Sequence, residues 1–103
     1  MAKVDLSISL LSFNNKELLK NCLKSVYSNT KNVTFEILLV DNGSRDGSSK
    51  MVKKEFPHVK LIENAQNRLY IRGHNQNLKR VKGRYFLILN DDTQIPARTL
   101  DKI

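Results

Sequence analysis

Apolar residues alternate from Val4 through Leu6, Ile8 and Leu10, and the run stops at Ser12-Phe13-Asn14-Asn15. Alternation rich in β-branched residues and closed by turn formers predicts a first strand from Val4 to Leu11. The period then changes. Between Asn15 and Asn29, Leu18, Leu19, Cys22, Leu23, Val26 and Tyr27 recur at helical spacing, and Asn14 with Glu17 three places on has the form of a capping box. A short apolar run, Phe35 to Val40, predicts strand two and ends in Asp41-Asn42-Gly43-Ser44. Met51, Val52 and Phe56 carry a helix from Ser48 until Pro57 stops it. Val59 to Glu63 reads as strand three, and a helical pattern runs from about Ile71 through Leu78 to Val81, where Gly83 can end it. Tyr85 to Leu89 is strand four; its unbroken apolar character suits a central parallel strand covered on both faces. Pro96 followed by Leu100 and Ile103 predicts the start of one more helix.

Strands alternating with helices imply right-handed βαβ units, so the fold class is α/β, a doubly wound and mostly parallel sheet with strand order about 3-2-1-4. With no repeats or linkers, residues 1–103 read as a single domain. Sheets of this kind bind ligands beyond the carboxyl ends of their strands. Strand one ends in Ser12-Phe13-Asn14, strand two in Asp41-Asn42-Gly43-Ser44 and strand four in Asn90-Asp91-Asp92, so the polar clusters converge on one edge.

Composition narrows the chemistry. A net charge of +8, from 18 Lys plus Arg against 10 Asp plus Glu, attracts any polyanion and says nothing of fold. Cys22 is the only cysteine, which excludes a disulfide framework and a multi-cysteine metal site within the chain and favours a reducing compartment. It falls on the apolar stripe of the first helix, where a buried structural thiol is expected. No apolar run approaches the ~20 residues that span a bilayer, and the first 16 residues lack a signal-peptide pattern. These features fit a cytoplasmic protein, so the sequons Asn32-Val-Thr34 and Asn42-Gly-Ser44 read as chance matches.

A calcium loop begun at Asn42 would place Ser44, Asp46 and Gly47 correctly but puts Lys53 at the twelfth position, where an acid is required. No glycine-rich phosphate loop of either common pattern exists. His58 and His74 stand at no metal-ligand spacing, and surface or capping roles are expected of both. Between Asn64 and Asn90 lie Arg68, Arg72, Lys79, Arg80, Lys82 and Arg84 with no acid. Most read as a solvated helix face, but Arg68 and Arg72 precede or open a helix on the ligand edge and could meet a phosphate there.

Asp91 and Asp92 repel each other and so need a cation, a ligand hydroxyl or plain water nearby; by themselves they also fit a solvated turn. In a 3-2-1-4 sheet the ends of strands two and four are about 10 Å apart, roughly the length of a nucleotide. Asp41 could then accept from a base N–H while Asp92 holds a divalent cation beside a diphosphate.

Four blocks in order, VDLSISLLSFNN, FEILLVDNGSRDGS, NRLYIRGHN and GRYFLILNDDT, resemble the family 2 glycosyltransferases, inverting enzymes of GT-A fold that use nucleotide-sugar donors. The resemblance implies a Rossmann-like half of a GT-A fold. In it Asp41 contacts the base, Asn90-Asp91-Asp92 is the DXD-type motif, Asp92 binds Mn²⁺ or Mg²⁺ and Asp91 lies nearer the ribose or donor sugar. Ser12, Phe13, Asn14 and Asn42 fall in the nucleotide pocket. The block from Asn67 to Asn75, which includes Arg68 and Arg72, approaches the donor; Leu69 stands there in place of the family's usual glycine. Family members continue into an acceptor half that supplies the catalytic base, so the base is expected beyond Ile103, and the chain is read as the donor-binding portion of a longer enzyme, cut short at its carboxyl end. That enzyme would pass a sugar from a nucleoside-diphosphate sugar to a saccharide, lipid or protein acceptor and could lie peripheral to a membrane. An uncovered sheet face or edge predicts self-association of the short chain. The competing reading is a basic α/β module for a nucleic acid or acidic partner, disfavoured by the lack of clustered aromatics and of any reading motif.

Overall fold

Nine residues of β1 (Val4–Ser12) form the middle of a sheet whose elements follow in the order α1 (Lys16–Asn29), β2 (Phe35–Asp41), α2 (Ser48–Glu55), β3 (Lys60–Glu63), α3 (Tyr70–Leu78) and β4 (Gly83–Ile88). The computed structural model describes residues 4–66 and 70–102. All pairings are parallel and the strand order is β3-β2-β1-β4, as the alternation of strands and helices predicts.

The two faces of the sheet are packed by different chemistry. Leu6, Ile8 and Leu10 of β1 and Ile37 and Leu39 of β2 meet Leu19, Cys22, Leu23 and Val26 of α1 and Met51 and Val52 of α2 in one apolar core. Strand alternation turns Ser7, Ser9 and Glu36 to the opposite face, under α3, where all three are buried. Burial alone would push the Glu36 carboxyl up. The Lys60 ammonium at 2.7 Å, the Ser7 hydroxyl at 2.6 Å and the Lys82 N–H at 2.8 Å outweigh it and hold the group below its usual value. Deeper under the helix, Asn77 Nδ2 donates to Ser9 Oγ, Leu10 O and Leu38 O. α3 can come this close because position 73 is glycine; a Cβ there would overlap the Leu11 side chain.

Several expectations change. His74 is not at the surface: it is buried in this polar layer with Nδ1 2.6 Å from Ser9 Oγ, because its place on α3 beside Gly73 turns it to the sheet. His58 is exposed, as expected. The capping box does not form, since Asn14 adopts a left-handed φ of 53° and the N-cap falls on Asn15, which makes no side-chain cap bond. Among the described residues β4 is an edge strand, with Tyr85 55% and Ile88 46% exposed, rather than a strand covered on both faces. The helix expected after Pro96 is replaced by turns, a left-handed Arg98 and a 3-10 turn at Leu100–Lys102.

Candidate functional site

Parallel pairing sets the height of each strand end. Ser12 pairs with Asp41 and Asp41 with Glu63. On the other side Ser9 pairs with Ile88, and the Leu89 N–H still donates to Ser9 O at 3.0 Å before the chain turns at Asn90–Thr93. Register sets Ser12 beside Asp41, and Asp91 in that turn lies close to Ser12, so the three line the carboxyl edge in a row over about 10 Å, two strand spacings.

The β1 and β2 loops are latched together at this edge. Asp41 is buried and accepts from Ser44 twice, from the hydroxyl on Oδ1 and from the backbone N–H on Oδ2 at 3.0 Å. Ser44 Oγ in turn accepts from the Asn14 N–H at 2.8 Å, and Asn14 Oδ1 accepts from the Arg45 N–H at 2.8 Å. Asn14 thus spends its acceptor on the loop, while Phe13 beside it is 46% exposed and lines a depression of about 390 Å³ with Gly43, Arg45, Ala65 and Gln66. Gly43, at φ 88°, lets the β2 loop pass the Ala65–Gln66 backbone, which any Cβ would crowd at 3.2 Å. Asp41 itself lines an adjoining depression of about 460 Å³. Asn42 is fully buried and its Oδ1 accepts from Asn64 at 2.9 Å, so its side chain faces the interior, not the cleft.

Across the row, Asn90 and Asp92 are exposed and Asp91 is half-buried. Burial raises the Asp91 carboxyl above its usual range; the Asn15 amide, 3.3 Å from Oδ2, opposes this and the Asp92 charge adds to it. Ser12 Oγ, fully buried, has no hydrogen-bond partner at ordinary geometry among the described residues, although Asp91 lies close enough to feel it. Beneath the turn, Cys22 Sγ donates to Asn90 O at 3.8 Å. Burial, then the charges of Asp91 and Asp92, push its thiol up to about 12, so it stays a neutral packing group.

No ion pair to Asp91 or Asp92 exists among the described residues, and no third acid, histidine or cysteine joins them. An adjacent, partly buried carboxylate pair without a cation fits a hard divalent ion whose remaining shell is filled by water and phosphate oxygens, the usual habit of Mg²⁺.

Other expected site residues are not brought to this row. Arg72 and Asn75 are exposed and share a shallow depression of about 280 Å³ with Gln76 and Lys79, because Gly73, His74 and Asn77 take the sheet-facing side of α3 and leave these residues outside. Arg68 lies outside the described residues. Ser44 and Asn15, which bond Asp41 and Asp91, were not among the expected site residues. An Asp followed three places on by Ser is a recognisable turn spacing that points to the first; nothing local separates Asn15 from Asn14.

A doubly wound 3-2-1-4 sheet with acids at the ends of its second and fourth strands has the architecture of the GT-A fold. The model described as Glycosyl transferase family 2 matches residues 7–103, and the chain belongs to that family. It is 32% identical over 97 residues to YfnE, an uncharacterized glycosyltransferase of Bacillus subtilis, covering 91% of this chain and 24% of the relative. It is 30% identical over 100 residues to a poly(ribitol-phosphate) beta-glucosyltransferase of Bacillus spizizenii, covering 92% of this chain and 16% of the relative. The chain thus spans a quarter or less of the length of these relatives. Among solved structures, the mannosyltransferase PcManGT of Pyrobaculum calidifontis, in complex with GDP-Man and Mn²⁺, superposes with a TM-score of 0.82 at 23% identity, over 92% of this chain and 29% of that one. S. aureus TarS in complex with UDP-GlcNAc gives 0.83 at 22% identity, over 95% and 29%. Among the described residues no helix is long and apolar enough to cross a membrane.

Proposed function

We propose that residues 1–103 form the donor-binding portion of a metal-dependent, inverting glycosyltransferase. The observation that carries this reading is the row of Asp41, Ser12 and Asp91 at the carboxyl edge, with Asp92 next to it. Asp41 would accept from the base, with Phe13 offering an uncovered ring beside it. The buried Ser12 hydroxyl and Asp91 beside it would take the ribose or donor-sugar hydroxyls, and Asp92 would hold Mn²⁺ or Mg²⁺. The bound cation would supply charge stabilisation for the departing nucleoside diphosphate. GDP-Man and UDP-GlcNAc in the two solved relatives support a nucleoside-diphosphate sugar as the ligand class.

The test is a thermal-shift screen of UDP-, dTDP- and GDP-sugars with and without Mn²⁺. A true donor at 100 times its dissociation constant adds about 2.7 kcal/mol of stability. No Mn²⁺-dependent shift with any of them would remove the reading. Sugar transfer by these 103 residues alone is not expected: Asp91 and Asp92 are committed to the donor, and His74 is buried away from the row, so no described residue is placed as base. Radiolabelled transfer to any acceptor by the purified chain would contradict this.

A further inference from the structure

The segment after β4 stays on the domain, running along α1 from its amino end to beyond its carboxyl end. Asn15 Nδ2 donates to Asp91 and Cys22 Sγ to Asn90 O. Ser25 Oγ accepts from the Ile95 N–H at 2.8 Å, and Asn29 Nδ2 donates to Ile95 O at 2.6 Å. Asn29 O then accepts from the Arg98 N–H at 3.0 Å, and Asp101 accepts from the backbone N–H groups of Lys31 and Asn32. Residues 15, 22 and 29 are seven apart, two helical turns, and 25 lies between the last two, so the side chains form one stripe. Ile95 and Leu100, both buried, peg the segment into the core between these bonds.

We propose that this polar stripe of α1 holds the Asp91–Asp92 turn in place, which makes Ser25 and Asn29 positioning residues for a donor site they do not touch. On its β1 side the turn is held by Ser12 beside Asp91 and by Leu89 packed against the core, but its far side rests on α1. Its two carboxylates repel, backbone pairing with β1 ends at Leu89, and Thr93 N–H to Asn90 O closes only the turn itself. The Ile95 peptide, whose N–H and C=O belong to no helix or strand, is instead gripped on both sides by one helix, as a neighbouring strand would grip it. The inference rests on the donor reading of that turn.

The experiment compares wild type with Ser25→Ala, Asn29→Ala and Ser25→Thr, and with Ser28→Ala, an exposed position on the same helix, as control. Hydrogen exchange should quicken about tenfold at residues 91–95 in the two alanine variants and stay unchanged in β1 and β2, a local opening. Affinity for UDP or GDP in Mn²⁺ should fall about tenfold, the size of one lost partly buried hydrogen bond, and by a larger factor than uridine or guanosine affinity, which can lose only the Asp91 contact to the ribose. Ser25→Thr, which keeps the hydroxyl, and Ser28→Ala should match wild type. Unchanged exchange at 91–95, or unchanged Mn²⁺-dependent nucleotide affinity in both alanine variants, would overturn the inference. Local loosening combined with wild type that binds no Mn²⁺–nucleotide would overturn the positioning role by a distinguishable route, through the donor reading itself.

Discussion

At the scale of single residues, Asp41 and Asp92 differ in how much structure each carries. Asp92 is exposed and bonded to nothing described, so Asp92→Asn should leave the fold intact while weakening Mn²⁺-dependent nucleotide binding roughly 10- to 100-fold, as loss of metal-supporting groups does. Unaltered Mn²⁺-dependent affinity by calorimetry would dispose of the metal assignment. Asp41→Ala should behave otherwise. It strips both acceptors from Ser44, leaving a hydroxyl and an N–H partly buried and unpaired, and should cost about 1–3 kcal/mol in urea unfolding. Because Asp41 is assigned to the base, nucleoside and nucleoside diphosphate should lose affinity by similar factors. Loss confined to the diphosphate would move Asp41 to another role. Sequence could place both acids at one edge; it could not show that Asn14 and Asn42 spend their side-chain acceptors on Arg45 and Asn64, because latch and ligand contacts use the same residue types.

At the scale of elements, apolar periodicity located every strand and the first three helices within a few residues, and it failed where polar groups decide. α3 is the clearest case: it meets the sheet through His74 and Asn77, which reach Ser9, rather than through an apolar stripe, so hydrophobic spacing offered no way to see that His74 faces the sheet. Burial lowers the His74 pKa below its ordinary 6.5. The sign follows from linkage: the unfolded chain takes up the proton first, so the stability contributed by the neutral, buried imidazole is complete above 6.5 and is lost as pH falls through the depressed folded value. The charged groups nearest this layer are Arg80, which donates to Asn77 Oδ1 at 2.6 Å, and the Glu36–Lys60 pair. Hydrogen exchange in α3, corrected for intrinsic rate, should therefore speed up between about pH 7 and about pH 5. His74→Gln should flatten that dependence. A flat profile in wild type would show that folding leaves the affinity of the imidazole for its proton unchanged, against the lowering that burial implies.

At the scale of the whole molecule, the β4 edge is unpaired among the described residues. Because the Leu89 N–H points to β1, alternation turns the N–H and C=O of Arg84, Phe86 and Ile88 outward, where they meet no strand among the described residues. A second copy can satisfy them. An antiparallel pair with its two-fold axis at Phe86 sets Arg84 opposite Ile88 and Tyr85 opposite Leu87, so no like charges meet, the exposed Tyr85 gains an apolar neighbour and the exposed Ile88 is covered by the aliphatic stem of Arg84. The isolated 103-residue chain should consequently form a dimer whose population rises with concentration in sedimentation equilibrium. Ile88→Lys tests the register, since it leaves the bonds to β1 alone but sets a lysine against Arg84 of the second copy, an unfavourable cross-strand pair. The variant should dimerise at least several-fold more weakly, with its circular dichroism and urea midpoint nearly unchanged because Ile88 is 46% exposed. A wild-type chain that stays monomeric at the highest soluble concentration, or a variant that associates as well as wild type, would show that this edge is blunted by some means other than pairing with itself.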